Sequence, residues 1–172
     1  MKNWMKALLI IAPKDFRDEE LFHTKEVLEK SGIVTKIAST KKGEAKGMLG
    51  GKATAELTIE EVKVEDYDAV IFVGGSGSSI YFSNKHALSI AKEAFSAGKV
   101  VGAICIAPVI LANAGILKGR RATVWDGDFV KMLEAGGAKY TGKNVEVDGK
   151  IVTANGPHAA REFGKKIAEL LR

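Results

Sequence analysis

Short, nearly unbroken apolar runs alternate along this chain with longer stretches in which apolar residues recur every three or four positions. Residues 6–12 (KALLIIA), 33–39, 68–73 and 100–104 (VVGAI) form runs of five to seven residues, closed by proline, glycine or polar residues. Runs of that length, apolar on both faces, predict strands buried in a parallel sheet. Helical spacing predicts helices over 18–31 and 84–97, with Gly32 and Gly98 as stops. It also predicts helices over 108–115 and 126–135, and one from about residue 157 with Phe163, Ile167 and Leu171 on a single stripe. A short strand near 122–124 completes the series. Hairpins are expected over 46–59, turning at Gly50-Gly51, and over 145–147 and 151–154, joined by Asp148-Gly149. Strands alternating with helices predict an α/β fold, a doubly wound, mostly parallel sheet flanked by helices, with small β-hairpins. The 172 residues suit one domain spanning 1–172. In such a sheet ligands bind beyond the carboxyl ends of the strands.

The most informative stretch is 100–108, where a buried strand ends at Cys105, the only cysteine, and turns at once into a helix. Pro108 falls in the first helical turn, where its missing N–H costs nothing. A nucleophile on so sharp a turn needs small residues two positions to either side, as in G-x-S-x-G; here they are Ala103 and Ala107. A cysteine at a helix N-terminus is expected to have a lowered pKa. The alternative is a buried structural cysteine, which packs as a small hydrophobe.

Other candidates follow the ends of other strands. In the helix over 18–31, Glu20 shares a face with Thr24, Val27 and Leu28, the side that meets the sheet. A carboxylate turned inward is costly unless something uses it; a glutamate favouring the helix dipole is the alternative. The strand over 68–73 runs into Gly74-Gly75. The backbone N–H of Gly75, with that of Ile106, would form a two-donor oxyanion hole, or the glycines serve a plain tight turn. Neither a complete dinucleotide fingerprint nor a P-loop is present. His158, behind Asn155-Gly156-Pro157, either lines the crevice or is a surface histidine, whereas His23 and His86 fall on solvent faces. No cluster has metal-ligand spacing, so no metal is expected.

Composition narrows the classes. One cysteine excludes an intramolecular disulfide and suits a reducing compartment. The apolar run within 1–11 is too short for a membrane span. A cytoplasmic protein without a membrane partner is therefore expected. The net charge is +5, but basic spots such as Lys41-Lys42 and 118–121 lack interleaved aromatics, which argues against nucleic acid as a partner.

Together these pieces resemble the ThiJ/PfpI superfamily, of class I glutamine amidotransferase-like (flavodoxin-like) fold, across nearly the whole chain. The resemblance is carried by residues 15–21 (DFRDEEL), 73–75 (VGG), 103–108 (AICIAP), 118–123 and 153–157. It implies that Cys105 is the reactive thiol, that Glu20 hydrogen-bonds its sulfur and that Gly75 and Ile106 supply the oxyanion hole. Gly74, Trp125, Asp126 and His158 are then candidates for the pocket lining. The sequence departs from the family in two places: the histidine that follows the cysteine in the peptidase branch is Ile106, and the deglycase-branch histidine is replaced by Trp125. The resemblance implies a cofactor-free cysteine enzyme acting on small 2-oxoaldehydes or their adducts. It leaves open a PfpI-type peptidase or amidase acting on peptides, and a redox-sensing stress protein or chaperone. A homodimer or larger homo-oligomer is implied on the same ground.

Overall fold

The computed structural model describes residues 4–172; Met1–Asn3, the start of the run judged too short for a membrane span, lie outside it. Twelve strands are formed: β1 (Lys6–Ile10), β2 (Lys14–Phe16), β3 (Val34–Ser39), β4 (Gly43–Gly47), β5 (Lys52–Ala55), β6 (Leu57–Thr58), β7 (Ala69–Phe72), β8 (Val100–Ile104), β9 (Arg121–Ala122), β10 (Lys139–Tyr140), β11 (Val145–Asp148) and β12 (Ile151–Ala154). Five α-helices join them: α1 (Asp18–Lys30), α2 (Lys85–Ser96), α3 (Pro108–Asn113), α4 (Phe129–Ala135) and α5 (Ala160–Leu170).

The main sheet has seven strands in the order β11-β12-β8-β7-β1-β3-β6. Every pairing in it is parallel except β11 with β12. The alternation of side chains along each strand splits the interior into two cores. Leu8, Ile10, Val70, Phe72, Val101 and Ala103 face α2 and α3. Ala7, Leu9, Ile71, Val100 and Ile104 face α1 and α5. Both faces are covered, which is why these strands read as continuous apolar runs. Gly102 faces α5, where an added Cβ would press on Phe163 and Ile167, and Gly164 lets α5 lie close against Val27 of α1.

The chain leaves β1 in one direction toward β3 and β6, then returns to place β7 on the other side. The carboxyl ends of β1 and β7 therefore flank a topological switch point, the usual place for a ligand crevice in such sheets. Glu20 follows β1, Gly74-Gly75 follow β7, and Cys105 follows the next strand out, β8.

The structure departs from the sequence pattern in a few places. The loop expected after the first strand contains β2, which joins the β4–β5 hairpin in a three-stranded sheet. That hairpin starts at Gly43 and ends at Ala55, because β4 pairs along the polar, glycine-rich stretch and residues 57–58 cross to the edge of the main sheet. The helix expected over 126–135 begins only at Phe129. Gly127 adopts φ 120° and donates its N–H to Asp126 Oδ1 at 2.9 Å, closing a turn ahead of the helix. The two-residue turn of the second hairpin is Gly149-Lys150, since Asp148 pairs with Ile151; Gly149 takes the positive φ there, at 61°.

Candidate active site

Cys105 sits in the left-handed region, φ 66°, one of two non-glycine residues to do so among those described. Such a conformation costs of order 1–3 kcal/mol and persists only when its surroundings enforce it. Here they do: Cys105 donates its N–H to Ala154 O at 2.9 Å, its carbonyl accepts the Trp125 N–H at 2.8 Å, and Ala107 N–H reaches back to Ile104 O at 3.1 Å. Ala103 and Ala107 are fully buried, as the crowding of an elbow requires. The turn presents the thiol, 8% exposed, at the bottom of a pocket of about 210 Å³.

Glu20, in the first turn of α1, is 0% exposed. Gly74 makes room for it: a Cβ there would overlap Glu20 Oε1, Cys105 Cβ and Ile104 O together. Neither carboxyl oxygen has a partner of good hydrogen-bond geometry; the groups that reach toward it are the Cys105 thiol and the Gly74 backbone amide. Burial pushes the Glu20 carboxyl up to about 8, against the pull of those two groups and of the Arg17 charge. Glu20 is thus a carboxylic acid through the neutral range.

The backbone amides of Gly75 and Ile106 both bear on the Cys105 sulfur and favour its thiolate. Gly75 is held at φ 105°, with its carbonyl accepting from Ser78 Oγ at 2.8 Å. A side chain at Gly75 would strike the backbone of Asp15, Phe16 and Arg17. The expected lowering of the thiol pKa is not what the site produces. Burial first, and then a charged Glu20, push the thiol up to about 12. The helix that was to lower it, α3, has six residues and starts three positions beyond the cysteine. Thiol and acid are one coupled pair.

Arg17, Met48, Ser76, Trp125, Phe129 and Pro157 wall the pocket above Cys105, Gly75 and Ile106. Of the other candidates, Gly74 lies beneath, between Glu20 and Cys105, and Trp125, 44% exposed, forms one wall. Asp126 and His158 do not line this pocket. Asp126 caps Gly127. His158 lies in the adjoining groove with Glu19, His23, Pro157 and Arg161, where Trp125 divides the two spaces. The Trp125 ring packs over Gly156, and His158 Nε2 lies 3.4 Å from Asn144 Oδ1. His23 also lines that groove rather than facing open solvent.

The sequence reading missed Arg17, Met48, Ser76, Phe129 and Pro157. Met48 reaches the pocket because Asp18, itself 8% exposed, accepts the N–H groups of Leu49 and Gly51, both at 2.8 Å. This bends the β4–β5 hairpin tip over α1. The arrangement brings a carboxyl and two backbone amides onto one thiol. No group of three or more potential ligands is placed to hold a metal among the described residues, and no helix there is long and apolar enough to cross a membrane.

A strained cysteine at a sharp strand-to-helix turn, backed by a buried glutamic acid on a doubly wound sheet, defines the class: an α/β protein with a mostly parallel central sheet flanked by helices. The DJ-1/PfpI family model matches residues 5–170, and the chain belongs to that family. It is 47% identical over 173 residues to an uncharacterised protein of Methanocaldococcus jannaschii, covering 99% of this chain and 84% of that one. It is 33% identical over 165 residues to Deglycase PfpI of Pyrococcus furiosus, 96% of this chain and 99% of the relative. A glutathione-independent glyoxalase of Caenorhabditis elegans is 32% identical over 168 residues, 96% and 88% of the two chains. The crystal structure of a ThiJ/PfpI domain protein from Brachyspira murdochii superposes with a TM-score of 0.94 at 34% identity, covering 98% of both chains.

Proposed function

We propose that this protein is a cysteine-dependent enzyme acting on small 2-oxoaldehydes or their adducts, of the glyoxalase or deglycase type. The observation that carries this reading is the buried Glu20 acid against the Cys105 thiol, with the Gly75 and Ile106 amides on the same sulfur. Relatives named deglycase and glutathione-independent glyoxalase support it.

The first proton lost from the pair leaves mainly from Glu20, and the Glu20 carboxylate then takes the S–H proton as the sulfur attacks, while the two amides donate to the developing thiolate. The thiolate adds to the aldehyde carbon, forming a C–S bond, and the carbonyl electron pair moves to oxygen, which takes a proton to give a hemithioacetal. Glu20, now a carboxylate, removes the proton from the former aldehyde carbon, giving an enediolate as the electron pair moves to the neighbouring carbonyl oxygen. It returns the proton to the neighbouring carbon while the hemithioacetal hydroxyl proton passes to that oxygen. The result is a thioester of a 2-hydroxy acid, which water hydrolyses to free Cys105. With methylglyoxal the product is lactate. The amides of Gly75 and Ile106, which bear on the sulfur, are the donors assigned in this reading to the oxygen on which negative charge develops. None of the described histidines lines the pocket; His23 and His158 line the adjoining groove, His158 with its Nε2 3.4 Å from Asn144 Oδ1, which weighs against a Cys-His peptidase.

The test is conversion of methylglyoxal to lactate without glutathione, by wild type, Cys105→Ser and Glu20→Gln. Turnover by the wild type, abolished at Cys105 and lowered at least a hundredfold at Glu20, is the expected result. Undiminished turnover in Cys105→Ser would overturn the assignment.

A further inference from the structure

Among the described residues, one cationic side chain lines the Cys105 pocket, that of Arg17. Its backbone is pinned at the site, with the N–H donated to Gly74 O at 2.9 Å. A guanidinium has five N–H donors in a rigid plane. Arg17 uses one edge on Glu19, with Nε to Oε1 at 2.8 Å and Nη2 to Oε2 at 3.1 Å. Nη1 and the second Nη2 hydrogen have no partner among the described residues. They form the end-on fork that takes an anion bidentately. Glu19 thus fixes the orientation of the guanidinium while leaving its outer end available.

Arg17 and Cys105 line the same pocket, and the charge of Arg17 is felt by both Glu20 and Cys105. The walls on the other sides are Met48, Trp125, Phe129 and Pro157, which offer no charge. Glu20 stays neutral through the same pH range and does not cancel the cation. A pocket of about 210 Å³ lined by both Arg17 and Cys105 lets a small molecule set an anionic group against the guanidinium while its carbonyl meets the sulfur.

We propose that Arg17 is a specificity-determining residue that selects carbonyl substrates bearing an anionic group, a carboxylate or a phosphate, close to the carbonyl attacked by Cys105. The proposal rests on the reading of Cys105 as the nucleophile. It deepens that reading by naming the substrate class: charged oxoaldehydes ahead of neutral ones such as methylglyoxal.

Two alkylating probes test it without requiring turnover. Iodoacetate and iodoacetamide react with the same thiolate, and only the first carries a carboxylate. The ratio of their rates at Cys105 therefore cancels any change in thiolate fraction. In Arg17→Met that ratio should fall about tenfold or more from its wild-type value, the loss of one charge-assisted bidentate contact. In Arg17→Lys, which keeps the charge but loses the fork, it should fall less. Millimolar acetate or inorganic phosphate should slow iodoacetamide modification in the wild type and not in Arg17→Met, and the more protective of the two identifies the anion. Equal ratios in wild type and both variants would overturn the role of Arg17 while leaving Cys105 as nucleophile. Failure of both probes to modify Cys105 in the folded wild type would overturn the nucleophile itself, and this inference with it.

Discussion

Replacing Glu20 with glutamine should change how stability depends on pH. The carboxyl moves from an ordinary 4.5 to about 8 on folding, because a site with 0% exposure disfavours its charged form. The unfolded chain ionises Glu20 above about pH 4.5, whereas the folded chain keeps the proton to about pH 8. Between those values the folded state binds more protons, so unfolding free energy falls as pH rises. At 1.36 kcal/mol per pH unit the full loss is on the order of 5 kcal/mol. It is complete above pH 8 and absent below pH 4.5. Glu20→Gln keeps the shape and removes the titration. Urea unfolding of both proteins at intervals from pH 5 to 8.5 should show the variant gaining on the wild type by several kcal/mol across that range. The window stops short of the pH at which Cys105 titrates. Parallel curves would mean that Glu20 is charged in the folded protein, and the acid-thiol account would fail.

Two further substitutions probe the walls of the site. Gly74→Ala would drive a methyl into the Glu20 carboxyl and Ile104 O; a loss of about 2 kcal/mol or more in denaturant unfolding and a drop in Cys105 reactivity are expected, since Glu20 must move. Asp18→Ala leaves the Leu49 and Gly51 amides without their acceptor, with a cost of about 1–3 kcal/mol. Hydrogen exchange at residues 48–51 should accelerate, and Cys105 should become open to bulkier thiol reagents as the Met48 wall loosens.

Much of this architecture was legible because local and global signals agreed. The runs at 6–12 and 100–104 are buried on both faces, so their composition alone marked them as interior parallel strands. Ala103 and Ala107 flag the elbow, and the helical phase of Glu20 already turned it toward the sheet. What was not legible depended on distant contacts. β2, a polar three-residue strand, exists only because Lys14 and Phe16 meet Lys46 and Gly47 of the hairpin. Met48 reaches a pocket built some sixty residues further on because Asp18 ties down the hairpin tip, and no periodicity reports that. Arg17 stood in plain view beside Glu19 and Glu20, and its spacing one turn before the inward carboxyl was the available signal. The direction of the thiol pKa could not be read locally, since burial outweighs the helix terminus and burial is a property of the whole fold. His158, read either as lining the crevice or as a surface histidine, lines the adjoining groove that shares Trp125 and Pro157 with the Cys105 pocket.

The coupling of Cys105 to Glu20 is tested most directly by the pH dependence of Cys105 alkylation with iodoacetamide, in wild type and in Glu20→Gln. In the wild type Glu20 ionises first, near 8, and its charge then opposes ionisation of the thiol, so the alkylation rate should keep rising well above that pH, toward about 12. In Glu20→Gln neither that charge nor the hydrogen bond to the carboxyl opposes ionisation, and the midpoint should move downward. Identical midpoints in the two proteins would contradict the coupling and reduce Glu20 to a packing residue.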